Sequence, residues 1–450
     1  MKAFKAYDIR GVYGSDFTKD DVYRIGYFLP QLFGAKTIAI GHDARVSSPE
    51  IAETLMKGIT DSGCNADFYG LSTTPFMYWI TARENYETSV MITASHNPKH
   101  HNGLKISARN AAPVGYDTGL RQLETWVENN DTSPADTKGI VNHFENRLKK
   151  EYLDFQRKYV SDMSNLKMVV DCSNGMANLF VKELLPAGIT YLADTIDGTF
   201  PCHEPNPLEP ANIVNLQNEV RKQKADIGVI YDGDADRVMF VDENGTFVSP
   251  DLMIGLLSTR MLQGGNRNAK VLQDIRTSKA VAELVERLGG EPHIWRVGRA
   301  YAALKLREID GLFGGELAGH YYFRDFYYSD SGIMASLLIL GIVADEKRKG
   351  NTLSQVIRNI TPYFNSGEIN FTIENKAEAM EAVKNHYANL EKPTRFLDFD
   401  GYRLEYRDWW FNIRPSNTEP YLRLILEANS ESLLEQRTCE IKELLKPFMK

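Results

Sequence analysis

Apolar runs of four to six residues, each breaking into a polar loop and then a stripe of helical period, recur along this chain. Thr37-Ile-Ala-Ile40 breaks into Gly41-His-Asp-Ala-Arg45, and Thr88-Ser-Val-Met-Ile92 into Thr93-Ala-Ser-His-Asn-Pro98. Between them Ser48-Pro49-Glu50 starts a helix, with proline where no N–H donor is needed. Ile51, Leu55 and Ile59 then form the stripe of a helix packed on a sheet. Leu166-Lys-Met-Val-Val170 ends in Asp171-Cys-Ser-Asn-Gly175. Ala225 to Ile230 ends in Tyr231-Asp-Gly-Asp-Ala-Asp-Arg237, with a hairpin-like Val238 to Val241 behind it. Val271 to Ile275 leads through Arg276-Thr-Ser278 into a helix over Ala280 to Leu288. A glycine-rich loop, Leu312 to His320, precedes a buried helix over Ile333 to Val343. The last stretch differs: strand-like Ile369–Ile373, Arg403–Tyr406 and Leu422–Leu426 come before an amphipathic helix over Glu431–Leu445.

This order predicts an α/β protein: three similar α/β domains with mixed sheets, plus a C-terminal α+β domain, around a central cleft. The domains fall at 1–146, 147–248, 249–364 and 365–450. A chain of 450 residues is too long for one core, which agrees. A formal charge of −8 excludes a general nucleic-acid binder and leaves small anions held by local basic clusters. The four cysteines form no CxxC pair, which excludes a zinc or disulfide framework and fits a reducing compartment. No apolar signal core opens the chain, and no run suits a membrane span. The expectation is a cytoplasmic protein with no nucleic-acid or membrane partner, monomeric or weakly dimeric.

Candidate chemistry sits in the loops. Asp232, Asp234 and Asp236 follow a buried strand at alternate positions, where they can converge on a hard cation; a solvated acidic turn is the plainer reading. An EF-hand would use Glu243 as its twelfth ligand, but Arg237 stands where that loop requires glycine and strands flank it, so it is rejected. Arg237 suits a phosphate bridging to the metal instead. Arg414-Pro-Ser-Asn-Thr418 gathers a guanidinium, two hydroxyls, an amide and backbone N–H groups, enough to surround a phosphate, with Arg423 one strand away; it also reads as an ordinary turn. Glu316 and His320, four apart between glycines, can meet sugar hydroxyls or simply decorate a tight turn. Arg10, Arg45, Lys105, Arg276 and Arg299 are expected at strand ends facing one cleft. Ser95, at the tip of its loop beside His96, can be a nucleophile, a phosphate carrier or a turn residue.

Taken in order, Thr93-Ala-Ser-His-Asn-Pro98, Asp232-Gly-Asp-Ala-Asp-Arg237, Gly315-Glu-Leu-Ala-Gly-His320 and Arg414-Pro-Ser-Asn-Thr-Glu-Pro420 resemble the four signature loops of the α-D-phosphohexomutases. Tyr7-Asp-Ile-Arg-Gly11 resembles that family's N-terminal motif. The resemblance covers the whole chain. It implies a heart-shaped enzyme of four domains with one loop from each. Ser95 would be the phosphoserine, and Asp232, Asp234 and Asp236 would hold Mg²⁺ together with its phosphate. Glu316 and His320 would read the sugar, and Arg414, Ser416, Asn417 and Thr418 the non-reacting phosphate. Arg10, His96, Lys105, Arg237, Arg276 and Arg299 would stand around the reacting group, with Tyr7 and Arg423 assisting substrate binding. The resemblance further implies a hexose 1,6-bisphosphate intermediate and activation by glucose or mannose 1,6-bisphosphate.

Two departures stand out. Ala318 replaces a serine of many relatives, and Arg276 and Arg299 stand where Lys and His are common. Arginine is a poor general base, so proton transfer falls elsewhere. Asn417 and the run Tyr322 to Gly332 favour the phosphomannomutase/phosphoglucomutase branch, with mannose phosphate first and glucose phosphate second. The rival readings are a phosphoglucosamine mutase and a non-catalytic sugar-phosphate-binding protein.

Overall fold

The structure, a computed structural model, describes residues 1–416 and 421–449. Its strands form four sheets, and the first three share one plan. In the first, Thr37–His42 runs parallel to Asn65–Leu71 and Thr88–Ile92, and His101–Ala108 returns antiparallel to Thr88–Ile92. Ile9–Val12 lies antiparallel beyond it, and Val141–His143 extends the opposite edge. In the second sheet Met168–Asp171 sits between parallel Thr190–Leu192 and Ile227–Tyr231, with Val238–Asp242 as the antiparallel return. In the third, Lys270–Asp274 pairs in parallel with Glu291–Trp295 and Phe313–Gly315, and Tyr321–Phe323 returns.

The serine loop, the three-aspartate loop and the Glu316–His320 loop therefore occupy one topological position. Each is the turn between the last parallel strand and its antiparallel return. A buried strand has to leave the core at its end, and a short return keeps the loop polar groups together at the carboxyl edge of the sheet. The fourth sheet is antiparallel. Its strands Trp409–Pro415 and Tyr421–Ala428 pair with Arg414 opposite Arg423. Asn417 and Thr418, expected to hold phosphate, lie outside the described residues.

The helical stripe over Ser48–Asp61 buries Ile51, Leu55 and Ile59 completely. This helix crosses Lys19–Phe33 so closely that a Cβ on Gly58 would lie 2.1 Å from the Tyr23 carbonyl oxygen. One apolar core fills the first unit, and a second runs through the second and third units and takes in Thr74–Arg83 from the first. The core of the fourth unit is drawn from residues 369–448 alone. That unit meets the third through polar contacts: Arg403 Nη1 donates to the carbonyls of Ile275 (2.8 Å) and Thr277 (2.7 Å), and Ser278 Oγ donates to Glu427 (2.9 Å).

Several elements escape the sequence pattern. Lys105 lies inside the strand His101–Ala108 and Arg10 inside Ile9–Val12, not at strand ends. The first of these strands carries buried Asn102, Lys105 and Ser107, and such polar content disguises a strand. The strand Trp409–Pro415 and the helix Lys376–Leu390 are also additions.

Candidate active site

Ser95 sits just past the strand Thr88–Ile92 with φ of +51°, a left-handed conformation that strains a side-chain-bearing residue. A buried network holds it there. Thr93 Oγ1 accepts from the Ser95 N–H at 2.9 Å and donates to Asp43 at 2.7 Å. Arg45 is fully buried and donates to the carbonyl oxygens of Ser95 (2.9 Å), Asn97 (2.6 Å), Pro98 (2.7 Å) and His101 (3.1 Å). Its other edge meets Asp43 at 3.1 Å, and its guanidinium lies over Phe200 of the second unit. Arg45 is therefore a brace behind the loop, not a cleft residue as its position in the sequence suggests. Its donors are consumed by carbonyls that the turn leaves without ladder partners.

The Ser95 hydroxyl donates to Asp232 Oδ2 at 2.8 Å, and His96 Nδ1 lies 3.4 Å from the same hydroxyl. This approach of two loops requires Gly233, where a Cβ would stand 2.6 Å from the Ser95 carbonyl oxygen. Asp232, Asp234 and Asp236 are all buried, and one oxygen of each lies within 4.8 Å of the others. Lys105 Nζ bridges Asp234 (2.7 Å) and Asp236 (2.5 Å), and Thr74 Oγ1 donates to Asp234 at 2.5 Å. Burial works against the Lys105 ammonium, but Asp234 and Asp236 outweigh it and raise its pKa. Burial, then Asp236 and Asp234, push Asp232 well above the usual carboxylate range. Asp234 Oδ1 and Asp236 Oδ1 are buried without a hydrogen-bond partner among the described residues. Three convergent carboxylates with two idle buried oxygens fit a hard divalent cation.

Arg237 and His320 join the metal loop to the third unit. Arg237 Nε donates to His320 Nε2 at 2.9 Å, and His320 Nδ1 lies 2.6 Å from Asp330. Accepting at Nε2 leaves the imidazole proton on Nδ1, directed at Asp330. Arg299 Nε donates to the other Asp330 oxygen at 3.1 Å and stacks on Tyr78. Burial opposes the Asp330 charge, but Arg299 and His320 prevail and hold its pKa down at about 2. Asp236, His320 and Asp330 also cluster closely enough for a metal. Both His320 nitrogens are taken by protein partners, so this group reads as a hydrogen-bonded chain. Arg10 lies nearby, with Nη1 on Asn97 Oδ1 (2.9 Å) and Nη2 on Asp8 (2.5 Å). Burial pushes the His96 pKa well below its usual value, with Arg237 and Arg10 acting in the same direction.

A second group forms toward the fourth unit. Glu316 is buried, accepting from the Gly298 N–H (2.7 Å) and the Tyr322 hydroxyl (2.6 Å). Tyr7 packs edge-on against Tyr301, and its hydroxyl donates to the Val297 carbonyl at 3.1 Å. Asp400 spans the third and fourth units, accepting from the Val297 N–H (2.8 Å) and Arg414 Nε (3.1 Å). Ser416 N donates to the Tyr421 carbonyl at 2.9 Å. Arg276 is expected around the reacting group, yet its partners are Asp274, met by Nε at 3.1 Å and Nη2 at 2.8 Å, and Glu368 at 3.8 Å; Arg423 meets the same Glu368 at 3.1 Å. Its contacts put it with the fourth-unit arginine, because its strand ends beside that sheet.

Residues that reading by motif passes over include Asp43, Thr74, Tyr322, Asp330, Glu368 and Asp400. Tyr322 and Asp330 lie in the run that points to the branch, and Asp43 in the loop after Thr37–Ile40; the others gain meaning only from pairing across the chain.

Comparison with known proteins agrees with this layout. Residues 1–134, 145–245 and 249–364 match the alpha/beta/alpha domains I, II and III of phosphoglucomutase/phosphomannomutase, and residues 368–444 match its C-terminal domain. A phosphomannomutase of Vibrio cholerae is 35% identical over 99% of this chain and 98% of its own length. A protein of Xanthomonas campestris named phosphohexose mutases is 37% identical over 99% of each chain. The crystal structure of a phosphoglucomutase/phosphomannomutase family protein from Burkholderia thailandensis superposes with a TM-score of 0.88 at 27% identity, covering 99% of this chain and 97% of that one. Fold and relatives together define an isomerase that works by phosphoryl transfer. The chain belongs to the phosphoglucomutase/phosphomannomutase family.

Proposed function

We propose that this enzyme interconverts hexose 6-phosphates and hexose 1-phosphates through a phosphoserine at Ser95, with mannose phosphates preferred and glucose phosphates also accepted. The observation that carries the reading is the Ser95 hydroxyl 2.8 Å from Asp232, in a buried cluster of three carboxylates neutralised on one side by Lys105. The hydroxyl faces an acidic cluster suited to a cation that tolerates a phosphoryl group. Asp232, Asp234 and Asp236 would hold Mg²⁺, which supplies charge neutralisation for phosphoryl transfer.

In the forward direction the bond from phosphorus to Ser95 Oγ breaks and a bond to the free hydroxyl of the hexose monophosphate forms, the hydroxyl proton leaving. Lys105, Arg10, Arg237 and Arg299 surround the reacting group with positive charge. His96, kept neutral by its surroundings, is the group able to take the proton. The 1,6-bisphosphate then turns round and returns its other phosphoryl to Ser95. Glu316 and His320 would read the sugar hydroxyls in both orientations, with Tyr7 closing one side. Arg414, Ser416, Asn417, Thr418 and Arg423 would hold the phosphate that is not reacting; we place Arg276 with that group. A 1,6-bisphosphate would restore enzyme that has lost its phosphoryl group. We further propose a monomer or weak dimer, and a cytoplasmic location, the latter consistent with the free cysteines; among the described residues no helix is long and apolar enough to cross a membrane.

Coupled assays with mannose 1-phosphate, glucose 1-phosphate and glucosamine 1-phosphate test the substrate. Mannose 1-phosphate should give the highest kcat/KM, and glucosamine 1-phosphate as the best substrate would overturn the choice.

A further inference from the structure

Three arginines stand where the last two units meet, and carboxylates hold them in two different ways. Asp274 grips Arg276 along its Nε and Nη2 edge, and Asp400 holds Arg414 at Nε. Both anchors leave other donors of their arginine to the site, and Arg414 Nη2 is buried with no hydrogen-bond partner among the described residues. Glu368 is placed otherwise. Its Oε2 lies 3.8 Å from Arg276 Nη1, on the edge that Asp274 leaves open, and its Oε1 lies 3.1 Å from Arg423 Nη1. One carboxylate thus spans two guanidinium groups from different units, one oxygen to each. Its side chain is 27% exposed, against 1% for Asp274 and 10% for Asp400.

A carboxylate and a phosphate offer the same paired oxygen acceptors to guanidinium donors. Arg423 is the cross-strand neighbour of Arg414, so the two project from the same face of the fourth sheet. Glu368 precedes the strand Ile369–Thr372, which flanks Tyr421–Ala428 on its other side. It therefore reaches the arginines from the chain segment that enters the fourth unit. Its grip is long on one side and open to solvent, so leaving costs little desolvation, whereas Asp274 and Asp400 are fixed.

We propose that Glu368 is an internal competitor for the substrate's non-reacting phosphate: it occupies Arg276 and Arg423 in the empty enzyme and is displaced when that phosphate enters. The proposal rests on the reading of these arginines as phosphate ligands. Its consequence is a built-in weakening of phosphate affinity, which favours release of the product and keeps the paired arginines from trapping inorganic phosphate.

The experiment measures inorganic phosphate binding to the full-length enzyme by calorimetry, and KM for the best hexose 1-phosphate, in Glu368→Gln and Arg423→Ala. Removing a competitor strengthens binding, so Glu368→Gln should lower the phosphate Kd and the KM together, by about three- to tenfold. A Glu368 that merely orients the arginines gives the opposite sign; an unchanged or raised Kd in Glu368→Gln overturns the proposal. Glu368→Ala provides the same reading without the amide. Arg423→Ala should raise the phosphate Kd. If it does not, the assignment of the arginines fails, and that outcome is distinct from failure of the competitor.

Discussion

Replacing Arg45 tests how the reactive serine is held. Its fully buried guanidinium makes four hydrogen bonds to carbonyls of the serine loop and an ion pair with Asp43. A hydrogen bond to a charged group contributes about 1.5–3 kcal/mol, but bonds sharing one side chain do not add. Deleting one partner of a buried charged pair costs about 3–5 kcal/mol, which is the better guide for Arg45→Ala. The loss is local, because the loop carbonyls and Asp43 carry it. Whole-protein melting of a chain with several cores is a poor gauge, so hydrogen exchange is the assay of choice. Amides of residues 93–101 should exchange about a hundredfold faster or more, while the helix Gly332–Arg348 stays protected. Arg45→Lys should recover less than half of the protection, since one ammonium cannot reach four carbonyls in a plane. Wild-type exchange in the lysine variant would refute the reasoning. With Ser95 no longer fixed at its strained φ, kcat should fall more than KM rises.

Other outcomes follow from the same geometry. Asp234→Asn removes one of three carboxylates and should weaken Mg²⁺ binding, read by calorimetry, and lower turnover by about a hundredfold or more; near-wild-type values would remove Asp234 from the metal set. Asp330, with a folded pKa of about 2 against an ordinary 3.8, contributes stability that is fully present above pH 4 and is lost as pH falls through 2. The shift is worth about 2 kcal/mol, so Asp330→Asn should flatten the acid limb of denaturation below pH 4. Cys202 and Cys439 are exposed, while burial pushes the Cys64 thiol up to about 12 and Cys172 is buried as well. A thiol reagent should therefore modify two cysteines in the native enzyme and four after unfolding.

The chemistry-bearing loops were legible because each concentrates its residues within a few positions after a buried strand. Asp232, Asp234 and Asp236 allow a cation by their spacing, and Ser95 stands out only once the four loops are taken in order. What could not be read was pairing across the chain. Nothing near Asp330 in sequence says that it orients His320, and nothing near Asp400 says that it ties Arg414 to Val297. Arg45 and Arg276 show the opposite error: a basic residue at a strand end looks like a ligand for a cleft anion, yet burial can commit it to carbonyls or to a neighbouring aspartate. Lys105 is expected at a strand end facing the cleft, yet it lies inside a strand that its own polarity hides. The common position of three loops at the turn before an antiparallel return emerges only from the sheet registers. The sequence repetition behind it is too weak to follow residue by residue.

The central claim is that Ser95 carries the phosphoryl group between the two ends of the sugar. Enzyme treated with glucose 1,6-bisphosphate labelled in both phosphates should carry label on Ser95, mapped by mass spectrometry of the peptide. A chase with unlabelled mannose 6-phosphate should move that label into hexose phosphate at the rate of turnover. Label that never reaches Ser95, label that stays there during turnover, or a Ser95→Ala enzyme that turns over normally would contradict it.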